Sequence, residues 1–322
     1  MPLERFQEIA GILRCPICFG EVTLNCADAM IPVNVRCTAC GQKMEHIAQK
    51  PVLVDFSRSL LCPADLNKST GVLVRNKLGP FRRFMLRHIL PYNSRAAINA
   101  NRFIREAKRL SKNPRILVIG GGAIGSGADA LYYDPAIKLV GIDIYPSPYI
   151  QVVADAHDLP FVSGCFHAVW IQAVLEHVLD PQRVVDELHR VLLPEGIAYG
   201  ETPFLQPVHE GAYDFTRFTD SGHRWLFRNF KLIDSGSALG PFAQLSWSLN
   251  SAFSALFNSA RAGLLVQIAF FWLKYFDRWV PSHRSRDGSS ALYFLGSRQQ
   301  ATITSNEIIL YYQEHNNTAR RD

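Results

Sequence analysis

The chain has 322 residues, 48% of them hydrophobic and 19% charged, a composition that excludes a wholly disordered protein. Its formal net charge is +6 at pH 7, and its length suffices for one large α/β domain and a small accessory module. The first fifteen residues lack a long apolar core, which argues against a secretory signal, and seven cysteines, an odd number, fit a reducing cytoplasm. We therefore expect a cytoplasmic protein.

Two cysteine pairs open the chain: Cys15 and Cys18 form one C-x2-C motif, and Cys37 and Cys40 form another after 18 intervening residues. Each pair can place two thiolates around one ion, and a reverse turn brings the pairs together into a tetrahedral site. Four sulfurs leave no position for a substrate, so we expect a structural Zn²⁺ in a module too small for its own core. The alternative is a redox-active or merely buried set of thiols. The other cysteines lack an evident pairing: Cys26, Cys62 and Cys165.

The segment around these cysteines resembles the small zinc-ribbon proteins that partner and stabilise methyltransferases. The resemblance covers about residues 10–56 and depends on the cysteine pairs and on the terminal run PVLVDF. It implies a zinc-ribbon module over residues 1–57, built from short strands.

A basic segment over residues 58–113 follows. Its residues 58–112 include 13 lysines and arginines against two acids. Leu78, Phe81, Met85 and Ile89 recur at nearly helical spacing, and the segment is predicted to be mostly helical until Asn113-Pro114 ends it. So much positive charge can attract RNA, anionic lipid or another phosphate-bearing partner, and it is equally typical of a solvated helix surface.

From residue 114 strand-like and helix-like runs alternate. The predicted strands are Ile116–Ile119, Leu139–Ile144, Val152–Ala154, Ala168–Ile171, Ile197–Glu201, Lys231–Ser235 and Ala291–Gly296. Asp180-Pro181 is expected to start a helix whose apolar face includes Val184 and Leu188. The alternation predicts a Rossmann-like, doubly wound, mainly parallel seven-stranded sheet over residues 114–300, with a polar, frayed tail over 301–322.

A glycine-rich turn and separated carboxylates follow the first strands of this domain. The turn runs from Gly120 through Gly122 to Gly125, and Asp143 ends the next strand. Glycines let the backbone approach a ligand, and a carboxylate at that strand end can accept both ribose hydroxyls, which also fits NAD. Asp155 then stands at the tip of a third strand, and the run WIQAVLEHV includes the fourth strand's end.

Taken in order, these motifs resemble the class I S-adenosylmethionine-dependent methyltransferases of the type 11 group, over about residues 114–235. The resemblance implies a cofactor site made of seven residues: Gly120, Gly122, Gly125, Asp143, Asp155, Ala156 and Gln172. Gly120 and Gly122 would pass under the methionine part, Asp143 would bind the ribose, and Asp155 with the Ala156 amide would meet the adenine. Glu176 and His177 hold the family's "EH" positions, which more often orient the turn than act chemically.

The sequence departs from many relatives at one place. These relatives carry an acid just before the glycine loop, close to the methionine amine, whereas this chain has Val118 and Ile119 there. The departure leaves the contact to the amine unassigned.

The segment ETPFLQPVHEGAYDFTRFT resembles a subset of methyltransferases associated with bacterial surface-glycan and secondary-metabolite biosynthesis. It follows the fifth strand, so we expect it to lie over the reacting methyl group. His209 is the candidate base, because imidazole titrates near neutral pH, and Arg217 is a second catalytic candidate. The alternative is a structural hydrogen-bond network that contains His209, Asp214 and Arg217. Aromatic residues suited to an apolar wall are Phe204, Tyr213, Phe215, Phe218 and Trp225.

Residues 239–280 form an apolar insertion between the last two strands. Its longest apolar run, 262–273, has twelve residues, whereas a membrane-spanning helix needs about 20. A lid over an apolar acceptor, peripheral membrane contact through 262–280, core packing and a dimer face all fit this composition.

These features predict a methyltransferase that acts on an O or N atom of a small-molecule, glycan or lipid-linked acceptor. One alternative is an rRNA or tRNA methyltransferase whose zinc ribbon contacts RNA. The loop His209–Thr219 argues against it, because it lacks the N/D-P-P-[YF] motif of many amino-group nucleic-acid methylators. A second alternative is a non-catalytic scaffold, against which the intact glycine loop and both aspartates argue.

Overall fold

The computed structural model describes residues 1, 3–28, 31–66 and 93–317. The strands are β1 (Val22–Asp28), β2 (Ile31–Cys37), β3 (His46–Ile47), β4 (Lys50–Pro51), β5 (Arg115–Ile119), β6 (Lys138–Asp143), β7 (Val152–Val153), β8 (Phe166–Gln172), β9 (Leu192–Pro203), β10 (Phe230–Leu239) and β11 (Ala291–Arg298). The α-helices are α1 (Phe6–Ile9), α2 (Pro63–Leu66), α3 (Ser94–Leu110), α4 (Asp129–Tyr133), α5 (Pro181–Val191), α6 (Asp220–Leu226), α7 (Pro241–Leu256), α8 (Ala260–Ala269), α9 (Ser282–Asp287) and α10 (Ser305–Asn317). The 3₁₀ helices are Ala10–Ile12, Leu175–His177, Gly211–Tyr213 and Phe271–Trp279. None of these helices is long and apolar enough to cross a membrane.

Seven strands form the central sheet in the order β10-β11-β9-β8-β5-β6-β7. Only β11 runs antiparallel to its neighbours, so the predicted mainly parallel seven-stranded sheet is confirmed. The chain moves outward from β5 through β6 to β7 and then returns to add β8 on the other side of β5. Ligands of doubly wound sheets bind at the carboxyl ends of strands where the order reverses, which here lies between β5 and β8.

Helix α5 illustrates how the local sequence sets an element. The Asp180 side chain accepts a hydrogen bond from the backbone N–H of Arg183 at 3.0 Å, and Pro181 occupies the first turn. Val184, Val185 and Leu188 are buried against the sheet. The predicted helix is therefore confirmed, with its cap and its apolar face as expected.

The cysteine-rich segment is built onto the edge of the sheet. Leu13 pairs with Phe161, and Val52 pairs in parallel with Val153 of the edge strand β7. Phe6 and Ile9 are fully buried in the same hydrophobic cluster as core residues of the sheet. The ribbon therefore shares one core with the large domain, which the division at residue 57 did not anticipate.

The expectation of a frayed tail is wrong for residues 305–317, which form α10. Tyr311 is buried, and its hydroxyl accepts a hydrogen bond from Arg286 at 2.8 Å. It also lies 3.1 Å from Asp220 and 2.9 Å from Ser235. This buried anchor was not evident in a polar sequence.

The basic segment is described only in part. Helix α3 confirms helical structure over Ser94–Leu110, where Phe103 packs edge-on against Trp170 with ring centroids 5.3 Å apart. The predicted helical positions Leu78, Phe81, Met85 and Ile89 lie outside the described residues.

The apolar insertion folds into α7, α8 and the 3₁₀ helix Phe271–Trp279. The Asp277 carboxylate accepts hydrogen bonds from the backbone N–H groups of Phe242 and Ala243, at 2.8 and 2.9 Å, at the start of α7. These contacts fold the insertion back on itself. Many of its large apolar side chains remain exposed: Leu256, Phe257, Leu264, Leu265, Ile268, Phe270, Phe271, Trp272, Tyr275 and Trp279.

Candidate functional site

The glycine loop directly follows β5 at the carboxyl edge of the sheet. Gly120 has a φ of +74°, which favours glycine, and a Cβ there would overlap Val174 of the loop that follows β8. A Cβ on Gly122 would lie 2.6 Å from the Asp143 carboxylate. A Cβ on Gly125 would overlap Gln172. Side chains are therefore excluded at these three positions, where the backbone packs closely against residues at the ends of the neighbouring strands.

Asp143 ends β6 beside this loop. Its carboxylate accepts hydrogen bonds from the backbone N–H of Gly122 at 2.7 Å and of Tyr145 at 3.2 Å. Burial raises the pKa of this carboxyl above its ordinary value. The structure thus places the Asp143 carboxylate next to Gly122, where it fixes the loop.

Asp155 follows β7 and is 9% exposed. Burial acts to raise its pKa, but hydrogen bonds from His157 and Ser59 outweigh it, and the pKa of Asp155 is lowered. His157 contributes a backbone N–H at 2.9 Å and Nδ1 at 2.6 Å, and the Ser59 hydroxyl donates to the other carboxylate oxygen. The adjacent Ala156 is also buried. The partner Ser59, which belongs to the chain that leaves the ribbon, had not been predicted.

Gln172, at the end of β8, belongs to a buried polar network. Its amide nitrogen donates to the Ser126 carbonyl at 3.2 Å and to Glu201 at 3.0 Å, whereas its buried Oε1 has no hydrogen-bond partner. Glu201, on β9, also accepts from Asn93 at 2.8 Å and from the Tyr199 hydroxyl at 2.6 Å. Burial raises the pKa of Glu201. An unpaired acceptor and a buried carboxyl therefore meet beside the glycine loop.

The functional positions of Glu201 and Asn93 were not predicted from the sequence. Glu201 is the acidic residue that ends the otherwise apolar and small run IAYG, and a buried acid at the carboxyl end of a parallel strand was the available signal. Asn93 caps α3 by accepting from Ala96 N–H at 2.9 Å. Its second contact, to Glu201, spans 108 residues and has no sequence signal.

The residues of the "EH" positions lie in the 3₁₀ helix Leu175–His177, opposite His209. Glu176 is fully buried, and burial raises its pKa to about 8. Its Oε1 lies 3.7 Å from His177 Nε2 and 4.0 Å from His209 Nε2. The His177 and His209 rings meet edge to face, with centroids 5.2 Å apart. The structure thus brings His209 to the strand end that carries Glu176.

Arg217 makes its described contacts within its own loop. Its guanidinium forms a two-pronged ion pair with Asp214 and donates to the carbonyl oxygens of Gln206, at 3.1 Å, and Pro207, at 3.4 Å. The hydrogen bonds from Arg217 lower the pKa of Asp214 to about 2. Asp214 in turn accepts from the backbone N–H of His209 at 3.0 Å. This geometry fits the structural network that the sequence left open for Arg217.

The four predicted metal ligands converge in the ribbon. The sulfurs of Cys15 and Cys40 are 3.8 Å apart, those of Cys18 and Cys37 are 3.4 Å apart, and all four lie within 4.8 Å of one another. Zn–S bonds of about 2.3 Å in a tetrahedron require sulfur separations of about 3.8 Å. A disulfide would require about 2.05 Å. The donor set therefore fits one Zn²⁺.

Several basic residues of the segment 93–112 already have acidic partners. Lys108 lies 2.6 Å from Asp134, and Arg102 is paired with Asp234. In this part of the chain, the positive charge available to bind the phosphates of an RNA is thus partly neutralised.

Comparison with known proteins supports the prediction that this chain is a methyltransferase. Residues 117–200 match the family described as Methyltransferase domain. A malonyl-[acyl-carrier protein] O-methyltransferase from Herminiimonas arsenicoxydans is 25% identical over 202 residues, which cover 60% of this chain and 67% of that protein.

Solved structures give weaker likenesses. A Galdieria sulphuraria protein described as a sarcosine dimethylglycine methyltransferase is 14% identical, with a TM-score of 0.45, and the match covers 68% of this chain and 98% of that one. A chain from the complex between a Haloferax volcanii methyltransferase activator and a methyltransferase is 18% identical, with a TM-score of 0.39, over 64% of this chain and 94% of that one.

Proposed function

We propose that this chain, a class I S-adenosylmethionine-dependent methyltransferase, methylates an oxygen or nitrogen atom of a small-molecule, glycan or lipid-linked acceptor. The observation that carries the proposal is the shared edge of the sheet, where the glycine loop packs against Asp143 and the loop after β8, and where the loop after β9 also begins. The cofactor supplies the methyl group on a positively charged sulfur. The chain has to hold that group and the acceptor in line, which accounts for much of such catalysis.

The residues at this edge fit the cofactor. Asp143 would accept hydrogen bonds from the ribose hydroxyls, and Asp155 from the adenine amine. The glycine loop, where a Cβ would collide with neighbours, would lie against the methionine part.

We assign the methionine amine to Glu201 and Gln172. An ammonium group needs acceptors, and Gln172 Oε1 is a buried acceptor without a partner, next to the buried Glu201 carboxyl. This pair would replace the acid that many relatives carry before the glycine loop, where this chain has Val118 and Ile119.

The loop after β9 would hold the acceptor. Tyr213 and Phe215 are exposed aromatic residues of this loop, suited to an apolar wall. A hydroxyl or protonated amine must lose a proton during transfer, and we assign this loss to the cluster of Glu176, His177 and His209. His209, the most exposed of the three, would take the proton when no cation occupies the cluster.

The insertion favours an apolar or lipid-linked acceptor. Strand β10 runs parallel to β9, so α7 starts at the edge of the sheet that carries the glycine loop. The acceptor loop is tied to the segment between the insertion and β11, because Phe204 N–H donates to the Ser290 carbonyl at 2.8 Å. The exposed aromatic residues Phe271, Trp272 and Trp279 therefore belong to an insertion that starts at this edge of the sheet and that the chain leaves toward a contact with the acceptor loop.

The four ribbon cysteines would hold a structural Zn²⁺. Their sulfur separations support this assignment, and a closed four-thiolate shell gives the ion no role in methyl transfer.

The test is transfer of label from methyl-labelled S-adenosylmethionine to separated lipid, glycan, small-molecule and RNA fractions. We expect label in the lipid or glycan fraction, and its loss in Asp143→Asn but not in the matched surface variant Asp134→Asn. Label confined to RNA would contradict the proposed acceptor class. Absence of cofactor binding in calorimetry would support the non-catalytic scaffold instead.

A further inference from the structure

Three potential metal-binding side chains meet outside the cysteine ribbon. Glu176 and His177 come from the turn after β8, and His209 comes from the loop after β9. Their ligand atoms all lie within 4.8 Å of one another. One carboxylate and two imidazoles form a common ligand set for divalent transition metals.

Hydrogen bonds to Nδ1 determine which nitrogen of each ring faces the centre. His177 Nδ1 lies 2.7 Å from the carbonyl oxygen of Tyr213, and because a carbonyl can only accept, this nitrogen carries the proton. His209 Nδ1 lies 3.4 Å from both the Pro207 carbonyl and Asp214 Oδ2. With the proton on Nδ1, both rings direct the lone pair of Nε2 toward Glu176. A metal-binding histidine usually donates the N–H of its other ring nitrogen to a carbonyl or carboxylate oxygen, as both rings can do here.

The burial of Glu176 is a second, independent observation that points to a bound cation. Glu176 is 0% exposed, and neither carboxylate oxygen has a hydrogen-bond partner in another of the described residues. The separations of 3.7 and 4.0 Å to the two Nε2 atoms are too long for hydrogen bonds. A buried carboxylate without partners is costly unless a cation or a proton neutralises it.

We propose that Glu176, His177 and His209 bind one divalent transition-metal ion, such as Zn²⁺, Co²⁺ or Mn²⁺, that holds the acceptor's oxygen. Three protein ligands leave at least one coordination position open, as at catalytic metal sites. The bound ion makes the acceptor O–H more acidic, and the proton leaves to solvent. The oxygen lone pair then bonds to the methyl carbon while the C–S electron pair returns to sulfur. His209 thereby serves as a ligand instead of a base.

This inference rests on the proposed function only for the use of the ion, so its test measures binding. Purified protein that retains its ribbon zinc is titrated with Mn²⁺, an ion that favours N and O ligands over thiolates, by calorimetry and electron paramagnetic resonance. We expect one bound equivalent, with affinity at least about a hundredfold weaker in His209→Ala and Glu176→Gln than in the wild type, since even outer contacts change metal affinity about 10- to 100-fold.

The matched control is His283→Ala, a histidine outside the cluster, which should bind Mn²⁺ as the wild type does. Asp214→Asn keeps the size of the side chain but removes the carboxylate that lies behind His209 Nδ1 and that also pairs with Arg217, so it should weaken Mn²⁺ binding about tenfold. S-adenosylhomocysteine binding by each variant reports whether the fold is intact. Absence of Mn²⁺ binding at millimolar concentration, or equal binding by the wild type and His209→Ala, would overturn the site. Failure to find a methyl acceptor while Mn²⁺ binds as described would refute only the proposed function.

Discussion

Replacement of Glu201 by glutamine tests the assignment of the methionine amine. Glu201 accepts hydrogen bonds from Asn93, Gln172 and Tyr199, and glutamine keeps the size and one acceptor oxygen while it removes the carboxylate. A hydrogen bond to a charged group contributes about 1.5–3 kcal/mol. Because about 1.4 kcal/mol corresponds to a tenfold change in Kd, we expect Glu201→Gln to weaken S-adenosylhomocysteine binding about 10- to 100-fold.

The assay compares two ligands by calorimetry. S-adenosylhomocysteine has the amine, whereas 5′-methylthioadenosine keeps the adenosine and lacks the amino-acid part. Glu201→Gln should weaken only the first, and Asp143→Asn should weaken both, because Asp143 is assigned to the ribose. Equal loss of both ligands in Glu201→Gln would mean that the carboxyl acts through the fold of the cleft, and unchanged binding of both would refute the assignment.

Three further predictions concern stability. Removal of zinc by a chelator should lower the melting temperature of the whole chain in one transition, because ribbon and sheet share a core; separate transitions, with the second unshifted, would contradict this. Arg286→Met should reduce the free energy of unfolding, followed in urea, by about 3–5 kcal/mol, since it leaves the buried Asp220 without its positively charged partner; the exposed control Arg284→Met should change it by less than about 0.5 kcal/mol. Burial lowers the pKa of His223 to about 3, below the ordinary 6.5 of the unfolded chain. As the pH falls below 6.5, only the unfolded chain takes up this proton, so stability is lost, by about 2 kcal/mol at pH 5. In His223→Phe the urea midpoint should depend correspondingly less on pH from 7 to 5; an equal slope in both proteins would show that His223 is not the responsible group.

The sheet was predictable because its signals are local. Each parallel strand is a short apolar run, and the helix between β8 and β9 combines a capping Asp180 with an apolar face at helical spacing. The convergence of the four cysteines and the turn at the glycine loop were predictable for the same reason, since both depend on spacings that the sequence shows directly. The polar sequence of α10, by contrast, gave no indication that Tyr311 would be buried against α6 and α9.

Contacts between distant loops could not be predicted. His209 was recognised as a candidate base, but its approach to Glu176 depends on two loops that meet only when β8 and β9 pair. Glu201 lies in a strand that reads as core, and its partners Asn93 and Gln172 are 108 and 29 residues away. The contact of Ser59 with Asp155 likewise depends on docking of the ribbon, which no single segment encodes.

The path of the chain out of the ribbon has a thermodynamic consequence. Val52 pairs with the edge strand β7, and seven residues later Ser59 donates to Asp155, the residue assigned to the adenine. If zinc binding favours this docked path, cofactor and ion assist each other, and linkage requires the assistance to be equal in both directions. Saturation with S-adenosylmethionine would then raise the affinity of the chain for zinc, and bound zinc would raise its affinity for S-adenosylmethionine by the same factor.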